Sequence, residues 1–166
     1  ADGIAVGLSA ISGSAGVVIG RSINSSTNAV SIGIGNTTAT SSVSAGLSSY
    51  SGLNSTSIGY AARSITSATA IGRNVTANSY SIAIGDNITT TNYEIAIGKN
   101  ITSNYNSVVV GRNHNNNNSS DIFGNNNDYN FNNSVVFGKN NNNNNLANIF
   151  GQDNSRNSAQ AFVVGK

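Results

Sequence analysis

His114, six scattered acids and no cysteine are what this chain offers for proton transfer or metal ligation. An active site needs a nucleophile with a base, a pair of carboxylates, or a cluster of metal ligands. His114 lies in a run of Asn and reads as a turn or ladder residue. The acids are Asp2, Asp86, Glu94, Asp121, Asp128 and Asp153. Asp86 and Glu94 flank one stretch, but paired-carboxylate hydrolysis needs two carboxyls held across a cleft, and nothing in the sequence predicts a cleft. The GNNNDYN segment around Asp128 lacks the acid density of a calcium loop, and Gly33-Ile34-Gly35 is no dinucleotide fingerprint. Without cysteine there is no disulfide framework and no thiolate site. We therefore expect no catalytic residue, no metal and no cofactor.

Two other sets recur at a regular spacing and suit binding better than catalysis. Arg21, Arg73, Lys99, Arg112, Lys139 and Lys166 each follow a glycine and make up six of the eight positive groups. In register they would form a basic stripe able to meet an anionic polysaccharide, a host or matrix protein, or a cell envelope. The bland reading is a solvated edge that resists lateral aggregation, and Asp86 interrupts the stripe. Tyr80, Tyr93 and Tyr105 follow one another at intervals of 13 and 12, an aromatic row suited to ligand contact or to ladder packing. The net charge of +2 is too small to argue for nucleic acid, and no apolar run reaches the ~20 residues of a membrane span.

What positions these residues is an internal repeat. Short apolar segments close on Gly7, Gly20, Gly35, Gly46, Gly59, Gly72, Gly85, Gly98, Gly111, Gly124, Gly138, Gly151 and Gly165. The interval from glycine to glycine is 13, except for 15 then 11 around Gly35 and 14 at Gly138 and Gly165; Gly33 in place of Gly35 would restore 13 and 13. A period this short is below that of helical repeats. It fits two short strands and two turns per coil at ~3.3 Å per residue, with Asn, Ser and Thr supplying the turns. The fold class is therefore all-β: a parallel β-solenoid of about 13 coils, stacked ~4.8 Å apart. Residues 1–166 form one repeat domain, grading from Ser/Thr/Ala-rich coils (1–80) to Asn-rich coils (112–166), with no cap or anchor visible.

The residue before each glycine is apolar throughout, from Val6 and Ile19 through Ile34, Ile84 and Ile97 to Phe123, Phe137, Phe150 and Val164. This row is expected to be the core spine, joined on its face by Ile4, Val17, Ile82, Ile95 and Val108 two residues earlier. A third apolar row, Ile23, Val75, Ile88 and Ile101, follows glycine by three and is expected to fail where His114, Asn127, Asn141 and Asn154 replace it. In the same C-terminal coils the intervening strand position becomes large: Val109, Ile122, Val136, Ile149 and Val163. A strand without a polar face is buried on both sides, so these five are candidates for contact with another copy of the chain. The alternative is a wider single-chain core filled by the phenylalanines. Asn74, Asn87, Asn100, Asn113, Asn126 and Asn140, two residues after glycine, are expected to form a stacked amide ladder.

The coil Ser81-Ile82-Ala83-Ile84-Gly85 resembles the head repeat of YadA-type trimeric autotransporter adhesins, and Ser31-Ile32-Gly33-Ile34-Gly35 and Asn106-Ser107-Val108-Val109-Val110-Gly111 fit as well. The resemblance spans Ile4 to Gly165 and departs in its 13-residue period, in the Asn-rich coils, and at Asp121 and Asn148. It implies a left-handed β-roll in a homotrimer, an adhesin head at the cell surface or outside the cell, and no enzymatic activity. Similar repeats occur in phage fibres. Two further functions compete: a filament of solenoids stacked end to end through uncapped edges, and an ice-binding face, for which only Thr76, Thr89 and Thr102 align.

Overall fold

The computed structural model describes residues 2–116, 119–129, 133–143, 147–156 and 161–165. It is an all-β parallel solenoid of about 11 turns with a spacing near 13 residues. Its last strand, Ala161–Gly165, has no second strand described behind it. Each coil carries a strand that ends around its glycine and a shorter second strand. In the middle of the chain the two merge into single nine-residue strands, Thr69–Ala77, Ile82–Thr90, Ile95–Ser103 and Val108–Asn116. Every pairing is parallel and links a coil only to its neighbours, with Gly72, Gly85, Gly98 and Gly111 directly in line.

The register runs through Gly33, which pairs with Gly20 and Gly46. Gly35 belongs elsewhere. It sits two residues past the strand glycine with φ of 65°, in line with Ser22 (54°) and Ser48 (55°). That position is a left-handed corner in every described coil, and Asn74, Asn87, Asn100, Asn113, Asn126 and Asn140 occupy it at 53–58°. Asn tolerates this region better than most residues, which explains its enrichment. The expected amide ladder forms there: Asn87, Asn100, Asn113 and Asn126 each donate from Nδ2 to the Oδ1 of the next, at 3.2, 3.0, 2.8 and 3.1 Å, and Asn140 donates to Asp153 at 2.7 Å. A second left-handed corner precedes the strand, at Asn28, Ser41, Asn54, Ser67, Tyr80, Tyr93 and Asn106.

The strand glycines face the interior. A Cβ on Gly98 would lie 1.7 Å from the carbonyl oxygen of Gly111, and φ there is +142°, so stacking and backbone conformation both require glycine. Strand alternation then settles which residues share the inside. Two and four residues before glycine point inward; one and three before point out.

This reverses the core expected from the sequence. Ile19, Ile32, Ile58, Ile97, Phe137 and Phe150 lie on the exposed face, as do Ile4, Val43, Ile82 and Ile95. The interior rows are instead narrow. One is Ser81, Glu94, Ser107, Ser120 and Ser134, and another is Ser31, Ser44, Ser57, Ala70, Ala83 and Ala96. The physical reason is coil width: with the glycine backbones stacked inside, small side chains fill the space that a branched side chain would overfill.

Val109, Ile122, Val136 and Ile149 are fully buried, and Val163 is 8% exposed. They fill the chain's own interior and are unavailable to a second copy. Their size answers the row across the core. Where Val75, Ile88 and Ile101 are large, the facing positions are Ala70, Ala83 and Ala96; where His114, Asn127 and Asn141 stand, the facing positions are Val109, Ile122 and Val136. The third row therefore stays buried to the C-terminal coils, changing from apolar to amide. Asn127 Nδ2 donates to the Gly138 carbonyl (3.1 Å) and Asn141 Nδ2 to that of Gly151 (3.0 Å). Their Oδ1 atoms accept the backbone N–H of the next coil, Asn127 from Asn141 (2.9 Å) and Asn141 from Asn154 (3.1 Å).

Candidate interaction surfaces

The outward side chains of the glycine-ended strands make an apolar face along the rod. Thirteen rungs at ~4.8 Å give a length of about 58 Å. Taken about 10 Å wide, the two rows cover roughly 600 Å² of sheet, at the upper end of the ~300–600 Å² of the largest patch on a monomeric surface. Ile34, Leu47 and Tyr60 widen it near the N-terminal end and are themselves exposed. Towards the C-terminal end it becomes aromatic. Phe123 stacks on Phe137 (centroids 4.8 Å apart, 6° between planes) and Phe137 on Phe150 (5.2 Å, 10°). Four polar residues interrupt the outer row: Thr56 and Thr69 in mid-chain, and Asp121 and Asn148, each tied to the coil before it, with Asp121 Oδ1 accepting the Val108 N–H (3.0 Å) and Asn148 Oδ1 that of Val135 (3.1 Å). This face is the surface the sequence reading missed. The signal was the small inward residues themselves: Gly, Ser and Ala alternate at one parity, and aliphatics cannot also lie inside.

The basic residues do align, since Arg73, Asp86, Lys99, Arg112, Asn125 and Lys139 pair in register from coil to coil. Charge along the row is not uniform. Arg73 donates from Nε and Nη2 to Asp86 at 2.9 and 2.7 Å, and Lys99 Nζ lies 3.7 Å from the same carboxylate. The Arg73 hydrogen bond holds the Asp86 carboxyl below its ordinary range and raises the guanidinium. Two bases are thus drawn to one acid, and Arg112 and Lys139 are the positive members of the row that it does not engage. Arg21 stands apart, next in line to Ile34, and Lys166 lies outside the described residues.

Tyr80 and Tyr93 stack face to face (5.2 Å, 4°). Tyr105 does not extend the stack; Asn106 takes the equivalent corner and Tyr105 stands one residue earlier, both with positive φ. All three rings are more than half exposed. On the second strand, Thr76, Thr89 and Thr102 align, but Arg63 and Asn115 continue the row on either side, so the threonine face is three coils long.

Two titratable groups lie inside. Glu94 stands where neighbouring coils have Ser81 and Ser107 and is 1% exposed. It accepts from the Thr91 backbone N–H (2.6 Å) and hydroxyl (3.2 Å). Burial outweighs these bonds and the one from Ser103, pushing its carboxyl up to about 7. His114 Nε2 donates to the Gly124 carbonyl (2.8 Å) while Nδ1 accepts the Asn127 N–H (3.3 Å). That arrangement fits the neutral ring, and burial lowers its pKa. The two groups are held by separate coils and converge on no common pocket. Among the described residues no group of three or more His, Cys, Asp or Glu could hold a metal, and no helix is long and apolar enough to cross a membrane. No known protein family matches the chain, and no curated protein matches it.

Proposed function

We propose that this chain is a non-enzymatic binding rod that works as a homo-oligomer at the cell surface or outside the cell, of the adhesin-head kind. The observation that carries the reading is the apolar face on the glycine-ended strands. An area of roughly 600 Å² per chain is of the order of the ~800 Å² per partner of a stable interface, and left in water it would favour aggregation. A second copy of the same chain is the occupant that fits, because the face runs the length of the rod with an unvarying coil spacing and can be matched rung for rung by an identical rod. The number three comes from the resemblance of the Ser-Ile-Ala-Ile-Gly coil to trimeric adhesin heads. With that face turned inward in the assembly, the Arg112 and Lys139 edge and the tyrosine corner stay available for a ligand. Anionic polysaccharide and host or matrix protein are the partners that such an edge suits.

The test is solution mass by light scattering across a range of protein concentrations. A constant mass of three chains, each of 16.9 kDa, supports the trimeric rod. A constant mass of one chain refutes it. Mass that climbs without limit assigns the chain to open-ended assembly instead.

A further inference from the structure

Beyond assembly, the tyrosine corner has the form of a ligand site. Tyr80, Tyr93 and Tyr105 take φ of 60°, 63° and 66°, a strained region that bulky side chains rarely occupy. Other coils place Asn, Ser or Ala at this corner, so the fold does not require tyrosine there. The rings are 56%, 64% and 66% exposed, so they contribute little to the core. Tyr93 lays one face on Tyr80. Its other face opens on a depression of about 480 Å³ lined by Asn78, Thr91, Asn92, Tyr93, Tyr105 and Asn106. The one-residue offset of Tyr105 makes this space: a ring at position 106 would have continued the stack and closed it. Tyr105 is fixed on the far side, its N–H donating to the Thr91 hydroxyl at 3.0 Å.

Among the described residues no side-chain partner engages the carboxamides of Asn78, Asn92 or Asn106. An aromatic face beside free amides, each with donors and an acceptor, matches a pyranose ring, which has an apolar C–H face and a rim of hydroxyls. No Lys or Arg lines the depression. A second one, of about 470 Å³, shares Asn106 but is also lined by Asp121 and Val135 of the outer row, which the assembly turns inward, so the ligand site is confined to the first depression, which offers no positive charge. That disfavours an anionic sugar.

We propose that the depression between Tyr93 and Tyr105 binds an uncharged oligosaccharide, with a sugar ring stacked between the two tyrosines. The site deepens the binding-rod reading and rests on it for its setting, but not on the oligomeric state, which the mass measurement tests separately.

The experiment titrates the intact chain with maltohexaose, cellohexaose and N-acetylchitohexaose, followed by calorimetry and by tyrosine fluorescence, up to about 10 mM, the weak end of specific binding. Hexaproline serves as the peptide counter-probe. At least one sugar should bind, and Tyr93→Asn should weaken it tenfold or more. Because Asn is what the fold accepts at Asn54 and Asn106 of the same row, Tyr93→Asn should keep or raise the melting temperature. Tyr50→Ala, on the second strand away from the groove, should bind as the parent does. The proposal fails if no sugar binds, if hexaproline alone binds, or if Tyr93→Asn leaves the affinity intact. It also fails if Tyr93→Asn changes the solution mass, which would assign the tyrosines to contact between chains.

Discussion

Swapping large and small residues across one coil should reveal how the interior is packed. Ala83 and Ile88 face each other, both fully buried; three coils on, Ile122 faces Asn127, also both buried. Ala83→Ile alone inserts three carbons against Ile88, and overpacking of that kind costs about 1–3 kcal/mol. Ile88→Asn alone removes a buried aliphatic worth about 1.5–3 kcal/mol. Its amide can recover part of that by donating to the Gly98 carbonyl, as Asn127 donates to Gly138 at 3.1 Å. If the two changes were independent their costs would add to roughly 2.5–6 kcal/mol. The double variant reproduces the Ile122/Asn127 pairing, so we expect it to recover about 2 kcal/mol of that sum, within the range of coupling between contacting residues. Denaturant unfolding of the four proteins closes the cycle. Additivity to within about 0.5 kcal/mol would refute the idea that the two rows share one volume.

Ile97→Asp, on the outer face, should leave the circular dichroism spectrum of the rod intact while reducing the solution mass from that of three chains towards that of one; loss of the spectrum would return Ile97 to the core. Gly98→Ala should destabilise by more than about 4 kcal/mol, measured by thermal unfolding, because a Cβ there meets the Gly111 carbonyl at 1.7 Å and bends against a φ of +142°. Stability should also depend on pH in two opposed ways. The Glu94 carboxyl is raised in the folded chain from 4.5 to about 7, so its contribution is intact below pH 4.5 and is lost as pH rises through 7. The full shift corresponds to about 3 kcal/mol, on the order of 2 after solvent screening, and Glu94→Gln should abolish the loss. His114 is lowered, so the unfolded chain takes up its proton first and stability falls as pH drops below the ordinary histidine value near 6.5. His114→Asn, the residue the row uses at Asn127 and Asn141, should flatten that limb.

The coil is legible in the amino-acid order alone. A 13-residue period with a terminal glycine leaves room for strands and corners and for no helix, and the Asn row after each glycine marks a left-handed corner whose amides must stack once the coils do. The same order places the basic residues in one line and leaves the acids without a common pocket. It does not say which side of the strand faces in. Period-two alternation assigns residues to two faces but gives neither face a direction, and choosing the bulkier aliphatics as the core puts Ile97 inside and Ala96 outside. The stacking of coils supplies the direction. The Gly98 backbone packs against Gly111 within the solenoid, so the residues that share its parity, Ala96 and Glu94, are inside with it. Ile95 and Ile97 then have no interior to enter. The same geometry explains Val109 and Ile122: their size answers His114 and Asn127 across a narrow core, a relation between residues that are five apart in sequence and on either side of a left-handed corner at Asn113 or Asn126, visible only when that corner has turned.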